Sequence, residues 1–185
     1  MYYDKMPLYD LRGKEVMTKR MIKGITLLLT GLWMIFIFWM SAASAEESTD
    51  MSLSVGYAVG RIVVDEFDSL SAEAQEEYAE QIDHPVRKTA HFMEYTVLGI
   101  LFSVDLLLFI RLTVMSRFLL AWIAGIAYSI TDEFHQLFVS GRSGQLTDVL
   151  IDGSGVLLGC IVILVVCMLY SFKRNKKVEK GREQF

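Results

Sequence analysis

The chain has 185 residues, 53% of them hydrophobic, and a mean hydropathy of +0.38. The apolar residues come in blocks rather than amphipathic periods, which excludes an ordinary soluble domain and points to an all-α, polytopic membrane bundle. Net charge is only −4, but the charges are segregated, and segregation bears on topology more than the total does.

Residues 1–21 form a basic tail that includes Lys5, Arg12, Lys14, Lys19 and Arg20. The first apolar run covers about 22–44, long enough to cross the roughly 30 Å hydrocarbon core. It ends in "AASAEE", which has the small-residue pattern of a signal-peptidase site. Against cleavage, the run is longer than an ordinary signal core and closes on bulky Trp39 and Met40, so retention is expected. The segment 45–88 is acidic and is expected to be an outer loop, either carrying a short amphipathic helix or solvated and only partly ordered. Leu70, Ala74, Tyr78 and Ile82 recur every four residues there, with Ser69 or Ser71 as the cap. His84, before Pro85, reads as a loop residue.

Three further spans follow, at about 89–110, 118–138 and 149–171, and then a basic tail at 172–185. Backbone groups in lipid must pair internally, so all four spans are expected to be helices. Lys and Arg concentrate in the two tails and in the short connection holding Arg111 and Arg117. The positive-inside bias then predicts cytoplasmic termini, four crossings and an outer acidic segment. Cys160 and Cys167 read as inert thiols in the last span, and Trp33, Trp39 and Trp122 as packing or interfacial anchors. Asp105 is expected to snorkel towards Arg111, with a course facing the bundle as the alternative. The chain carries no nucleotide-binding loop and no nucleic-acid motif.

The outer ends of three spans carry ionisable residues on single helical faces. Span two offers His91, Glu94 and Tyr95; span three offers Asp132, Glu133, His135 and Gln136; span four offers Asp148 and Asp152. Arg142 lies in the loop between spans three and four. A charge facing lipid is costly, so these groups are expected to point inward and form a functional cluster. The bland alternative is a purely structural polar network, with the Gly155–Gly159 pair supplying close helix packing. A sharper alternative is a metal site, because His91 with Glu94 and Asp132 with His135 pair imidazole and carboxylate at the spacing of di-metal bundles. Arg87, Lys88 and Arg142 are candidates for phosphate or carboxylate recognition.

The blocks "RKTAHFMEYTVLG" and "TDEFHQLFVSGRSGQLTDVLIDGSGVLLG" closely resemble the two signatures of the VanZ-like family of small bacterial membrane proteins. The first matches at Arg87, Lys88, His91, Phe92, Glu94, Tyr95 and Gly99. The second matches at Asp132, Glu133, His135, Gln136, Gly141, Arg142, Asp148, Asp152, Gly155 and Gly159. The aromatic run closing on Ser41 is also similar, whereas the family's "SSQP"-like segment is replaced by "SAASAEES". The resemblance covers roughly residues 25–170. It implies a bacterial plasma-membrane protein that binds a membrane lipid, a wall precursor or a glycopeptide antibiotic, and a link to teicoplanin resistance. The alternative is a membrane-embedded enzyme acting on a lipid headgroup, with a metal cofactor or without one. The resemblance names neither a reaction nor a cofactor.

Overall fold

The computed structural model describes residues 8–182. Lys5 lies outside them, as do the last three residues of the C-terminal tail. The described residues form five α-helices: α1 (Leu8–Ser41), α2 (Ala45–Val63), α3 (Ala72–Phe109), α4 (Val114–Gln136) and α5 (Leu146–Arg182), with a 3-10 turn at Phe67–Ser69. Four of them, α1, α3, α4 and α5, are long and apolar enough to cross a membrane. Their lipid-side residues, such as Leu28, Phe38, Ile123 and Val166, are exposed because the surrounding solvent is hydrocarbon.

Helix α3 is the centre of the bundle and packs against all four other helices. Its 38 residues rise about 57 Å at 1.5 Å each, far more than the hydrocarbon core requires. The N-terminal half of α3 therefore projects beyond the apolar band and pairs with α2. The segment expected to be an outer loop is thus a helical hairpin. Ser71 caps α3, its hydroxyl accepting from the Ala74 amide at 3.3 Å. The expected short helix does not stop, however: it runs through Pro85 into the span, so His84 is helical rather than a loop residue. Ser44 opens α2 with a reciprocal capping box to Glu47, whose carboxyl is held below its ordinary range by the Ser44 amide and hydroxyl.

The α2 face against α3 is a stripe of small residues: Ser48, Ser52, Gly56 and Gly60. A Cβ at Gly56 would press on the Ala79 backbone, and one at Gly60 would enter the Phe67 ring. Phe67 and Ala79 are themselves buried. Ser52 donates to Asp83 across this contact. The main core joins Ile37 of α1, Tyr95 and Leu98 of α3, Ala121 of α4, and Val156 and Cys160 of α5. Helices α3 and α5 cross at backbone distance. A Cβ at Gly155 would strike the Phe92 carbonyl, one at Gly159 the Thr96 carbonyl, and one at Gly99 the Val156 backbone. Small residues gain van der Waals contact where lipid supplies no hydrophobic force between helices.

Trp33 and Trp122 pack against this core and donate their indole N–H to the carbonyls of Glu94 (2.9 Å) and Gly153 (3.0 Å), whereas Trp39 is exposed. Asp105 takes the bundle-facing alternative, not the snorkelling one. It is buried and accepts from the Thr30 hydroxyl of α1 at 2.7 Å rather than reaching towards Arg111. Inside the bundle a hydroxyl 75 positions earlier in the chain is a nearer partner than the headgroup region. Both terminal helices also run into the basic tails, which are helical as far as residues 8 and 182.

Candidate functional site

Helices α1 and α4 end, and α5 begins, at the end of the bundle where α2 joins α3. Here the polar residues from separate helices meet. Ser41, the last residue of α1, donates its hydroxyl to Asp132 Oδ2 of α4 at 2.7 Å. Gln136 donates its side-chain amide to Ser41 Oγ at 2.9 Å and to Glu133 Oε1 at 3.3 Å. The other oxygen of Glu133 accepts from the Gln145 backbone N–H at 2.8 Å, just ahead of α5. One chain of bonds therefore ties α1, α4 and the start of α5. Asp132, Glu133 and Gln136 are all at least 95% buried.

A second layer lies between α3 and α5. Lys88 is ion-paired with Asp148, joining the two helices where they leave the apolar band. Asp152 is fully buried and accepts from Ser129 of α4 at 2.8 Å, while its other oxygen lies 4.0 Å from His91 Nδ1. His91 is also within electrostatic range of Asp132, Arg142, Asp148 and Lys88, and Glu94 within range of Asp132 and Arg142. Four atoms here are buried without a hydrogen-bond partner: His91 Nδ1, the Tyr95 hydroxyl, Asp132 Oδ1 and Asp152 Oδ1. Buried polar groups are ordinarily paired; three further atoms of this kind, on Asp105, Arg117 and His135, lie outside this layer.

The loop 137–145 closes the site. Gly141 has φ +72°, a left-handed conformation that favours glycine, and a Cβ there would press on Ala45. This turn lets the Ala45 N–H donate to the Ser140 carbonyl at 3.1 Å. It also brings Arg142 over the α1–α2 junction, where its Nε donates to the Ala43 carbonyl at 3.2 Å. Burial and the neighbouring Arg87 hold the Arg142 guanidinium below its ordinary value, partly offset by Asp132, Glu133 and Asp148. It keeps its charge, as guanidinium groups do.

Two cavities of about 150 Å³ each flank Arg87, His91 and Arg142, which line both. One is polar, reached by His84, Lys88, Gln136 and Asp148; the other is largely apolar, walled by Met40, Met51, Val55, Val86 and Ala90. A third hollow of about 550 Å³ adjoins the apolar one through Met40 and Met51.

Of the residues expected to cluster, His91, Glu94, Tyr95, Asp132, Glu133, Gln136, Arg142, Asp148 and Asp152 lie in this region, as do Arg87 and Lys88. His135 points elsewhere. Its ring stacks on Phe38 of α1 at 4.3 Å, so its pairing with Asp132 is not made. The metal expectation needs the same correction. Among the described residues no three His, Cys, Asp or Glu side chains converge to hold a metal ion. Spacing of three fixes a shared face on one helix, but helix rotation sends His135 to α1 and leaves His91 facing Asp152. Ser129 and Gln145 were not expected at the site. The only signal for Ser129 is its position three residues before Asp132, on the same face of α4.

The fold and its polar end define a four-span helical membrane protein with an ionisable cluster buried at one end of the bundle. The family model described as VanZ/LLP1 matches residues 26–170, and the chain belongs to that family. No curated protein and no solved structure matches it.

Proposed function

We propose that this protein binds an amphiphilic cell-envelope molecule at the polar end of its bundle. The observation that carries the reading is the junction of a polar and an apolar cavity across Arg87, His91 and Arg142. A headgroup suits one side and a hydrocarbon chain the other. In this reading the protein sits in the bacterial plasma membrane with both basic tails in the cytoplasm, and the site opens to the outer leaflet. Its ligand is a membrane lipid, a wall precursor or a glycopeptide antibiotic, and engaging the last two links the site to glycopeptide (teicoplanin) resistance.

The test has two readouts. Lipid extracted from the purified protein should contain a retained amphiphile that Glu94→Gln or Arg87→Gln diminishes. Expression in a glycopeptide-susceptible host should raise teicoplanin tolerance, and Glu94→Gln should remove it at unchanged membrane abundance. Tolerance lost only in proportion to abundance would make the cluster structural. No tolerance from the wild type would remove the antibiotic from the reading.

A second reading, a headgroup-modifying enzyme, draws support from the buried His91–Asp152 approach, where neither facing atom has a hydrogen-bond partner. Such a pair suits general acid–base work. Turnover of extracted envelope lipids by the wild type, but not by His91→Gln, would decide for it.

A further inference from the structure

Resting on the amphiphile reading, we infer that the polar cavity is a phosphoryl site for a lipid phosphate, with the hydrocarbon chain lying in the adjoining apolar groove. The charge lining the cavity is the first argument. Arg87, Lys88 and Arg142 bring three positive charges to its wall, against Asp148 in the wall and Asp83 paired with Arg87 behind it, so the basic groups outnumber their carboxylate partners by one. A wall with an excess of cations matches an anionic phosphate better than a zwitterionic headgroup, whose own cation would meet three others.

Availability is the second. Lys88 is neutralised by Asp148, and Arg87 by Asp83 at 2.5 Å. Among the described residues Arg142 makes no direct ion pair, although Asp132, Glu133 and Asp148 lie within electrostatic range; its Nε is spent on the Ala43 carbonyl, and no protein acceptor takes its terminal nitrogens. A partly buried guanidinium with no carboxylate in direct contact gains from an anion at hydrogen-bond distance, and its planar fork fits a phosphoryl group bidentately.

Size is the third. A volume of about 150 Å³ holds roughly five water molecules at ~30 Å³ each. That admits a phosphoryl group. It is below the roughly 300–1,000 Å³ of drug-sized sites, so a glycopeptide could not be enclosed there. The groove beyond Arg87 and Arg142 is walled by Met40, Met51, Val55 and Val86, and methionine side chains adapt readily to an alkyl chain.

The experiment uses the full chain in phosphatidylcholine nanodiscs. Dodecyl phosphate, dodecylphosphocholine and inorganic phosphate are titrated against it, and binding is read by ³¹P NMR line broadening and calorimetry. Dodecyl phosphate should bind tightest, inorganic phosphate more weakly at the same site, and dodecylphosphocholine not at all. Arg142→Gln should weaken dodecyl phosphate about ten-fold or more, and Arg142→Lys should restore part of the loss. Should Arg142→Gln fail to fold, Arg87→Gln serves, because Asp83 keeps its Ser52 hydrogen bond. Equal binding of the two dodecyl probes, or an unchanged affinity in a folded variant of either arginine, overturns the phosphoryl site. Inorganic phosphate binding as tightly as dodecyl phosphate overturns the lipid source and assigns the cavity to a soluble phosphate. A retained amphiphile free of phosphorus overturns this inference and leaves the amphiphile reading standing. The absence of both a retained amphiphile and any dodecyl phosphate binding overturns both.

Discussion

Ser41→Ala tests whether the polar end is held together by its side-chain bonds or merely decorated by them. Ser41 is 1% exposed, and its hydroxyl donates to Asp132 at 2.7 Å and accepts from Gln136 at 2.9 Å. Removing it deletes two interhelical bonds, each worth about 0.6 kcal/mol in membrane proteins. The two ends are then left differently. Gln136 keeps Glu133 at 3.3 Å, but Asp132 loses its one short hydrogen bond and retains only the looser approaches of Gln136 and Tyr95. Stranding a buried acceptor adds about 1–3 kcal/mol, so the total loss should be roughly 2–4 kcal/mol. Gln136→Leu should cost less, since it leaves the Ser41–Asp132 bond intact, and the double variant should fall short of the sum because the two residues share a bond. Equilibrium unfolding in bicelles, with helicity followed against denaturing detergent, would measure all three. A loss below about 0.5 kcal/mol for Ser41→Ala, the range of neutral surface changes, would refute the reasoning. Asp132 would then be satisfied by something other than Ser41.

Two more outcomes follow from the packing and the topology. Gly155→Ala should destabilise by about 1–3 kcal/mol, because its Cβ meets the Phe92 carbonyl and the Thr96 amide of α3, which are backbone atoms and cannot swing aside; unfolding in bicelles and membrane abundance would both report it. With Cys160 and Cys167 replaced, a cysteine at exposed Ser71 should react with an impermeant reagent on intact cells, and one at exposed Ser171 should not; the opposite pattern would invert the orientation.

The helical class and the four spans were legible because hydrophobic blocks report the solvent directly, and lipid permits few structures. A serine cap at Ser69 or Ser71 was legible for a similar reason, since a cap bonds within its own turn, and the structure selects Ser71. The α2 helix was not. Its inward face is Ser48, Ser52, Gly56 and Gly60, so there is no apolar stripe to read, and its packing depends on backbone approach rather than on greasy side chains. Nor was the passage of α3 through Pro85 legible, since proline ordinarily ends a helix and here α2 packs alongside the interrupted turn. Spacing correctly grouped His91 with Glu94 and Asp148 with Asp152, because both members of each pair ride on one helix. It could not say that Asp105 meets Thr30, that Ser41 bridges Asp132 and Gln136, or that His135 turns to Phe38. Those contacts join residues 75 or more positions apart, and each depends on how far one helix is rotated against another. That rotation is set by where small residues let backbones close in, at Gly99, Gly155 and Gly159 above all. A pattern along one helix names the face a residue shares, and only the docked bundle decides which neighbour that face meets.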